Sequence, residues 1–215
     1  MFIKVGQYVL VYIVLIVIFI SVLFLTSLLP RSYLHPHIEK TIITLKSEGI
    51  YPSFGIPWRK IVLDNYTDAL MFNTAYNSSE LEPLKASLIN LRYYEPQLGS
   101  NQIDQLEASL NYTDKSQAGY ERYWHGYLTY LRPAVILFSY DAIRIFNAIM
   151  LYGGFSWLLI LCWKKLGKKF ALAILLGFIS VDFFFIWKSL QFSAVFLLAI
   201  YAAIYLLKSK KKQNY

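Results

Sequence analysis

Hydrophobic residues in this chain fall in long blocks rather than at the alternating or helical spacings of a soluble domain. No charge lies between Lys4 and Arg31, and Tyr8 to Leu29 is dense in Val, Ile, Leu and Phe. At ~1.5 Å per residue, that stretch exceeds a hydrocarbon core of ~30 Å and predicts a first transmembrane helix. The run is longer than the apolar core of a signal peptide, roughly 7 to 15 residues, and no small-x-small site follows it, so it reads as an uncleaved anchor. Two more uncharged windows follow at Ile145–Trp163 and Ser189–Leu207, and between them Phe170–Trp187 is interrupted only by Asp182. The expectation is an all-α integral membrane protein with four transmembrane helices and a large helical extracytoplasmic loop between the first and second. In sequence terms that is an anchor at 1–29, a loop domain at 30–144, a three-helix membrane bundle at 145–207 and a basic cytoplasmic tail at 208–215.

Inside the loop the pattern becomes amphipathic. Ile38, Ile42 and Leu45 recur at spacings of four and three between charged neighbours, predicting a helix from Pro36 that stops at Gly49. Tyr51 to Trp58, with two prolines, one glycine and three aromatic residues, predicts an ordered loop at the headgroup level or a lipid cradle. Short helices are expected at Thr67–Tyr76, Glu80–Leu91 and Asp104–Leu110. An aromatic-rich helix is expected at Ala118–Tyr130, carrying Glu121, Arg122 and His125 along the outer membrane surface. Pro133–Phe138 is too short to span and reads as interfacial or re-entrant, and Ser139-Tyr-Asp141 reads as the cap of the second span.

Composition supports the membrane assignment, because 57% hydrophobic and 16% charged residues with a mean hydropathy of +0.43 are too apolar for an average soluble domain. The charge distribution then orients the chain. Lys4, Lys164, Lys165, Lys168, Lys169, Lys208, Lys210, Lys211 and Lys212 stand in segments without one acidic residue, whereas residues 30–144 hold eleven basic and twelve acidic residues. Cytoplasmic flanks of membrane helices are enriched in Lys and Arg, so both termini are expected inside and residues 30–144 outside, in a multi-pass protein of the cell membrane. The net charge of +8 is therefore topological, and nucleic acid is excluded as a partner because no single domain carries a basic face. The expected partners are membrane lipids, which the tail lysines can touch, and other membrane proteins. Cys162 is the only cysteine, so the outer loop has no disulfide and must be ordered by its own packing, which favours a bacterial envelope protein.

Candidate chemistry is sparse. Asp64 and Asp68 stand four residues apart after the apolar Ile61-Val-Leu63, a spacing that projects two carboxylates to one side of a helix. Such a pair suits a general base beside a group that coordinates a divalent cation or pyrophosphate; equally, Asp64 or Thr67 caps a helix and Asp68 complements its dipole. His35 and His37 stand alone and read as interfacial, so no zinc site is expected, and a divalent cation is the one cofactor the aspartates leave open. Asp182 lies within a span, where a carboxylate is costly and should find a cation; Arg144 or Lys188 could supply it, and the expectation is a structural ion pair of Asp182 with Arg144, with a proton or substrate site as the alternative.

A first span, a large outer loop with acidic residues just beyond it, the Tyr123-Trp-His-Gly126 segment and Arg132-Pro133 before the second span together resemble the amino-terminal part of bacterial polytopic proteins of cell-surface polysaccharide synthesis. Those are similar to lipid-linked-sugar glycosyltransferases of the GT-C class. The resemblance covers roughly residues 8 to 160. It implies helices lying on the outer surface, a polyprenyl-phosphate sugar as donor, Asp64 as base with Asp68 beside it, and Glu121, Arg122, His125 and Arg132 as substrate-binding residues. GT-C enzymes have more than four spans, so the expectation is a truncated or split transferase or, alternatively, a non-catalytic accessory or scaffold protein of surface polysaccharide assembly.

Overall fold

A computed structural model describes residues 2–56, 59–78, 82–111, 117–120 and 125–209. The chain is mostly helical and divides into two compact units, one formed by residues 1–50 and 69–140, the other by residues 51–68 and 141–215.

The first unit opens with α1 (Phe2–Ser27), whose side chains from Tyr8 to Phe19 are exposed Val, Leu, Ile, Tyr and Phe on every side of the helix. A helix apolar all round and uncovered by protein is built for a lipid environment. It ends where Pro30, in extended conformation, precedes α2 (Arg31–Glu48). Ile38, Ile42 and Leu45 are buried along one stripe of α2, as the spacing predicts; the helix starts at Arg31 rather than Pro36, which adds Leu34 to the stripe, and Gly49 with φ 82° closes it by donating its N–H to the carbonyl of Leu45. That stripe packs on α5 (Gln102–Asn111), through Ile103 and Leu106, and on α6 (Leu128–Leu137), through Leu128, Leu131 and Val135. The carboxyl-terminal part of α3 (Asn65–Asn77) adds Phe72 and Tyr76, and α4 (Pro83–Leu88) packs on α1, where Ser27 Oγ donates to the carbonyl of Pro83 at 2.9 Å.

Side-chain amides hold the irregular connections of this unit. Asn73 Oδ1 accepts from the backbone N–H of Tyr93 at 2.7 Å while its Nδ2 donates to the carbonyl of the same residue at 3.1 Å. Gln105 does likewise at Glu95, accepting from its N–H and donating to its carbonyl, both at 2.8 Å. Buried amides used as substitute backbone partners satisfy polar groups that no sheet or helix would otherwise reach.

The second unit contains the β1–β2 hairpin (Ser53–Ile56 and Arg59–Val62), α7 (Tyr140–Leu166) from Asp141 on, α8 (Lys168–Ser180), α9 (Phe183–Ile186) and α10 (Leu190–Ser209). Its core is Leu151, Phe155, Leu158, Ala171, Phe183, Ile186, Ile200 and Ile204, with Phe155 and Phe178 stacked at a ring separation of 4.4 Å. Gly154 lets α10 approach closely: a Cβ there would lie 3.1 Å from Ile200 Cγ2 and from the Tyr201 ring.

Three helices are long and apolar enough to cross a membrane: Val5–Ser27 within α1, Tyr140–Leu166 and Leu190–Ser209, of 23, 27 and 20 residues. The segment expected as one span between the last two is divided. Its first part, α8, has 13 residues, about 20 Å, and stops at Ser180. Asp182 then takes a left-handed backbone, φ 52° and ψ 37°, before the four residues of α9. A short polar side chain tolerates that conformation better than a branched apolar one would, which is why the interruption falls on the one aspartate.

Two departures from the all-helical expectation stand out. The described part of Tyr51 to Trp58, expected as an ordered loop, enters the β1–β2 hairpin, with Phe54 opposite Ile61. Ala118 is not helical either: Gln117–Gly119 form β4, paired antiparallel with β3 (Leu91–Tyr93), and Leu128–Tyr130 of the expected segment belong to α6. Apolar and aromatic runs this short carry no period that separates strand from helix, and the pairing partner of β4 lies more than twenty residues away.

Candidate functional site

Asp64 and Asp68 accept hydrogen bonds from different parts of the chain. Asp64 is the residue before α3, and its Oδ1 accepts the backbone N–H of Thr67 at 2.9 Å while Oδ2 accepts the Thr67 hydroxyl at 2.5 Å. That is helix capping three residues on, stabilising by about 1 kcal/mol. Asp68 is fully buried and turns to a different helix: both of its oxygens accept the backbone N–H of Leu190, at 3.2 and 3.0 Å, at the first residue of α10. A carboxylate at a helix amino terminus meets unpaired N–H groups and the positive end of the helix dipole, and in a buried setting this compensates its desolvation. Ser189 Oγ accepts from the N–H of Phe192 at 3.5 Å on the same turn.

Between the two aspartates, the side chain of Asn65 is buried and accepts from Arg144 Nη2 at 3.2 Å. Arg144 is 2% exposed, on the first turns of α7. Asp182 sits half-buried at the α8–α9 break. Lys188 lies over two aromatic rings, 4.4 Å from the centroid of Phe54 and 5.2 Å from that of Trp187, and Phe54 in turn stacks on Phe185 at 6.1 Å. Two of the three expected headgroup aromatics, Phe54 and Tyr51, are thus engaged, the latter stacked on Tyr66 at 6.5 Å.

The expected substrate-binding residues belong to the other unit, and Glu121 and Arg122 lie outside the described residues. His125 is buried at 1% exposure, with Tyr120 edge-on at 5.6 Å and Tyr127 tilted at 5.5 Å. The hydroxyl of Tyr127 is hydrogen-bonded to Thr74, and burial pushes its pKa well above the usual phenol value. Arg132 is 2% exposed, and Nη2 donates to the carbonyl of Leu29 at 3.1 Å. Its Nε makes no hydrogen bond, and burial pulls its pKa down to about 10, so the side chain is a buried cation at neutral pH.

A network that the sequence did not suggest joins α2 to α3. His35 is not isolated: its Nδ1 lies 2.6 Å from the Tyr76 hydroxyl and its Nε2 3.3 Å from Glu39 Oε1. The Arg31 guanidinium covers the Tyr76 ring at 4.0 Å and donates to the carbonyl of Ser109 at 2.6 Å. Desolvation raises the pKa of Tyr76 against the opposing pull of Arg31. The i, i+4 spacing of His35 and Glu39 was visible beforehand, whereas Tyr76, 41 positions on, was not. This carboxylate–imidazole–phenol chain can hold or pass a proton, but its phenol is buried. Among the described residues, no group of three metal-ligating side chains is present.

No family model, characterised protein or solved structure matches this chain. Its class therefore rests on the fold itself: a mostly helical protein with three helices long and apolar enough to cross a membrane.

Proposed function

We propose that this is a multi-pass protein of the bacterial envelope that serves as a non-catalytic accessory or scaffold component of surface polysaccharide assembly. The reading places both termini in the cytoplasm and residues 30–144 outside, with α8 and α9 together completing a fourth crossing. The nine uncompensated lysines of the flanking segments support that orientation.

One observation carries the choice of scaffold over transferase. A catalytic base must reach a substrate proton, yet Asp68 is fully buried with both oxygens turned to the N–H of Leu190, and Asp64 is occupied by Thr67. Carboxylates used as caps serve the fold. The burial of His125 and Arg132 supports the same reading for the residues that a sugar donor would need exposed.

The full-length protein in nanodiscs, incubated with radiolabelled polyprenyl-phosphate sugars, tests it. No sugar release or transfer is expected above a protein-free control. Turnover abolished by Asp64→Asn at an unchanged melting temperature would return the transferase reading.

A further inference from the structure

The turn at Gly167 joins α7 to α8. The two helices flank an open cleft of about 500 Å³, within the range of small-molecule pockets. Leu159, Leu172 and Leu175 form its apolar wall, one to two turns away from the α7–α8 junction, and Trp163, Lys164 and Lys168 line it beside that junction. The site is thus a hydrocarbon-like cleft with two exposed lysines, Lys164 and Lys168, at its rim.

Its charge is unopposed in the sequence, since no acidic residue occurs between Asp141 and Asp182. Lys168 Nζ lies 5.3 Å from the centroid of the Trp163 ring, which keeps the ammonium at the rim of the cleft. The neighbouring Lys165 is directed elsewhere, donating to the carbonyl of Leu207 on α10. Gly167, at φ 96°, makes the turn and offers no capping side chain, so the first N–H groups of α8 add positive potential at the same level.

We propose that this cleft holds one anionic phospholipid, its acyl chain along the leucine wall and its phosphate between Lys164 and Lys168. A lysine-rich turn between two apolar helices sits at headgroup depth, where such clusters attract acidic lipids. A zwitterionic lipid would bring its own ammonium against the two lysines, and a free phosphate would leave the apolar wall exposed. The inference rests on α7 crossing the bilayer.

Trp163 supplies the probe. The full-length protein is placed in phosphatidylcholine nanodiscs containing increasing fractions of phosphatidylglycerol brominated on its acyl chains, and the fluorescence lost is compared between the native chain and Trp163→Phe to isolate the contribution of Trp163. Half-quenching is expected at a mole fraction at least about tenfold lower than with brominated phosphatidylcholine, the order two juxtamembrane lysines provide. The double variant Lys164→Gln/Lys168→Gln should erase that preference, and the tail variant Lys211→Gln/Lys212→Gln should keep it. Equal quenching by the two lipids in the native protein overturns the proposal, as does a preference that survives in the double variant. If the double variant fails to insert, the comparison of lipids on the native chain still decides. Protein that resists carbonate extraction but shows equal quenching sinks the lipid site alone, whereas protein extracted by carbonate sinks the membrane reading with it.

Discussion

Asp68 holds the amino terminus of α10: its carboxylate accepts the backbone N–H of Leu190, 122 positions further along the chain. The contact is buried and bifurcated, and it ties the start of α3 to the last apolar helix within one compact unit. Removing the carboxylate strands the N–H of a buried helix end. Asp68→Ala should therefore lower stability by about 1–3 kcal/mol, and Asp68→Asn, which keeps one acceptor oxygen, by distinctly less. Thermal unfolding in detergent, followed by circular dichroism, reads both. Equal melting temperatures for the alanine variant and the native chain would show that water replaces the carboxylate and that the contact carries no weight.

Alkaline titration should expose Tyr127. Its folded pKa lies above the unfolded value because burial disfavours the phenolate. Below the unfolded pKa of roughly 10 the phenol is neutral in both states and the group costs nothing. Above it the unfolded chain releases a proton that the folded chain keeps, so stability falls as pH rises beyond about 10. Tyr127→Phe should lose the Thr74 hydrogen bond, about 1 kcal/mol at neutral pH, and show a shallower decline between pH 10 and 11. Melting temperatures of the two proteins across that window are the measurement, and parallel curves would count against a buried phenol.

Two adjacent glycines of α7 should respond oppositely. A Cβ at Gly153 meets nothing within 4 Å, whereas one at Gly154 meets Ile200 and Tyr201 at 3.1 Å. Gly153→Ala is expected to be neutral or slightly stabilising, because alanine loses less backbone freedom in a helix. Gly154→Val should cost about 1–3 kcal/mol through overpacking against α10. If both variants unfolded at the temperature of the native protein, the close approach of α7 and α10 would be wrong.

Orientation is testable in intact cells with single cysteines on a Cys162→Ser background. A cysteine at Ser79 should react with a membrane-impermeant maleimide and one at Ser209 should react only after lysis. The reverse pattern would invert the topology.

The sequence alone determined the parts of this protein that depend on composition and on contacts within a few residues. Charge-free apolar runs place α1, α7 and α10 because a helix able to cross a bilayer must be uniformly apolar over about 20 residues, a signal that no tertiary contact is needed to read. The stripe Ile38, Ile42, Leu45 and the stop at Gly49 were legible for the same local reason, as was a helix cap at Asp64 or Thr67, of which the structure uses Asp64. Pairings across long sequence separations were decided only by the tertiary structure. Asp68 reads locally as a first-turn acid of α3, and only the folded chain brings Leu190 to it. His35 reads as solitary until Tyr76 packs beside it, and Gln117–Gly119 becomes a strand only by meeting Leu91–Tyr93. The span expected over Phe170–Trp187 is broken at Asp182 because a left-handed residue depends on backbone geometry at both of its ends, and hydropathy, which averages over a window, is blind to a single dihedral angle.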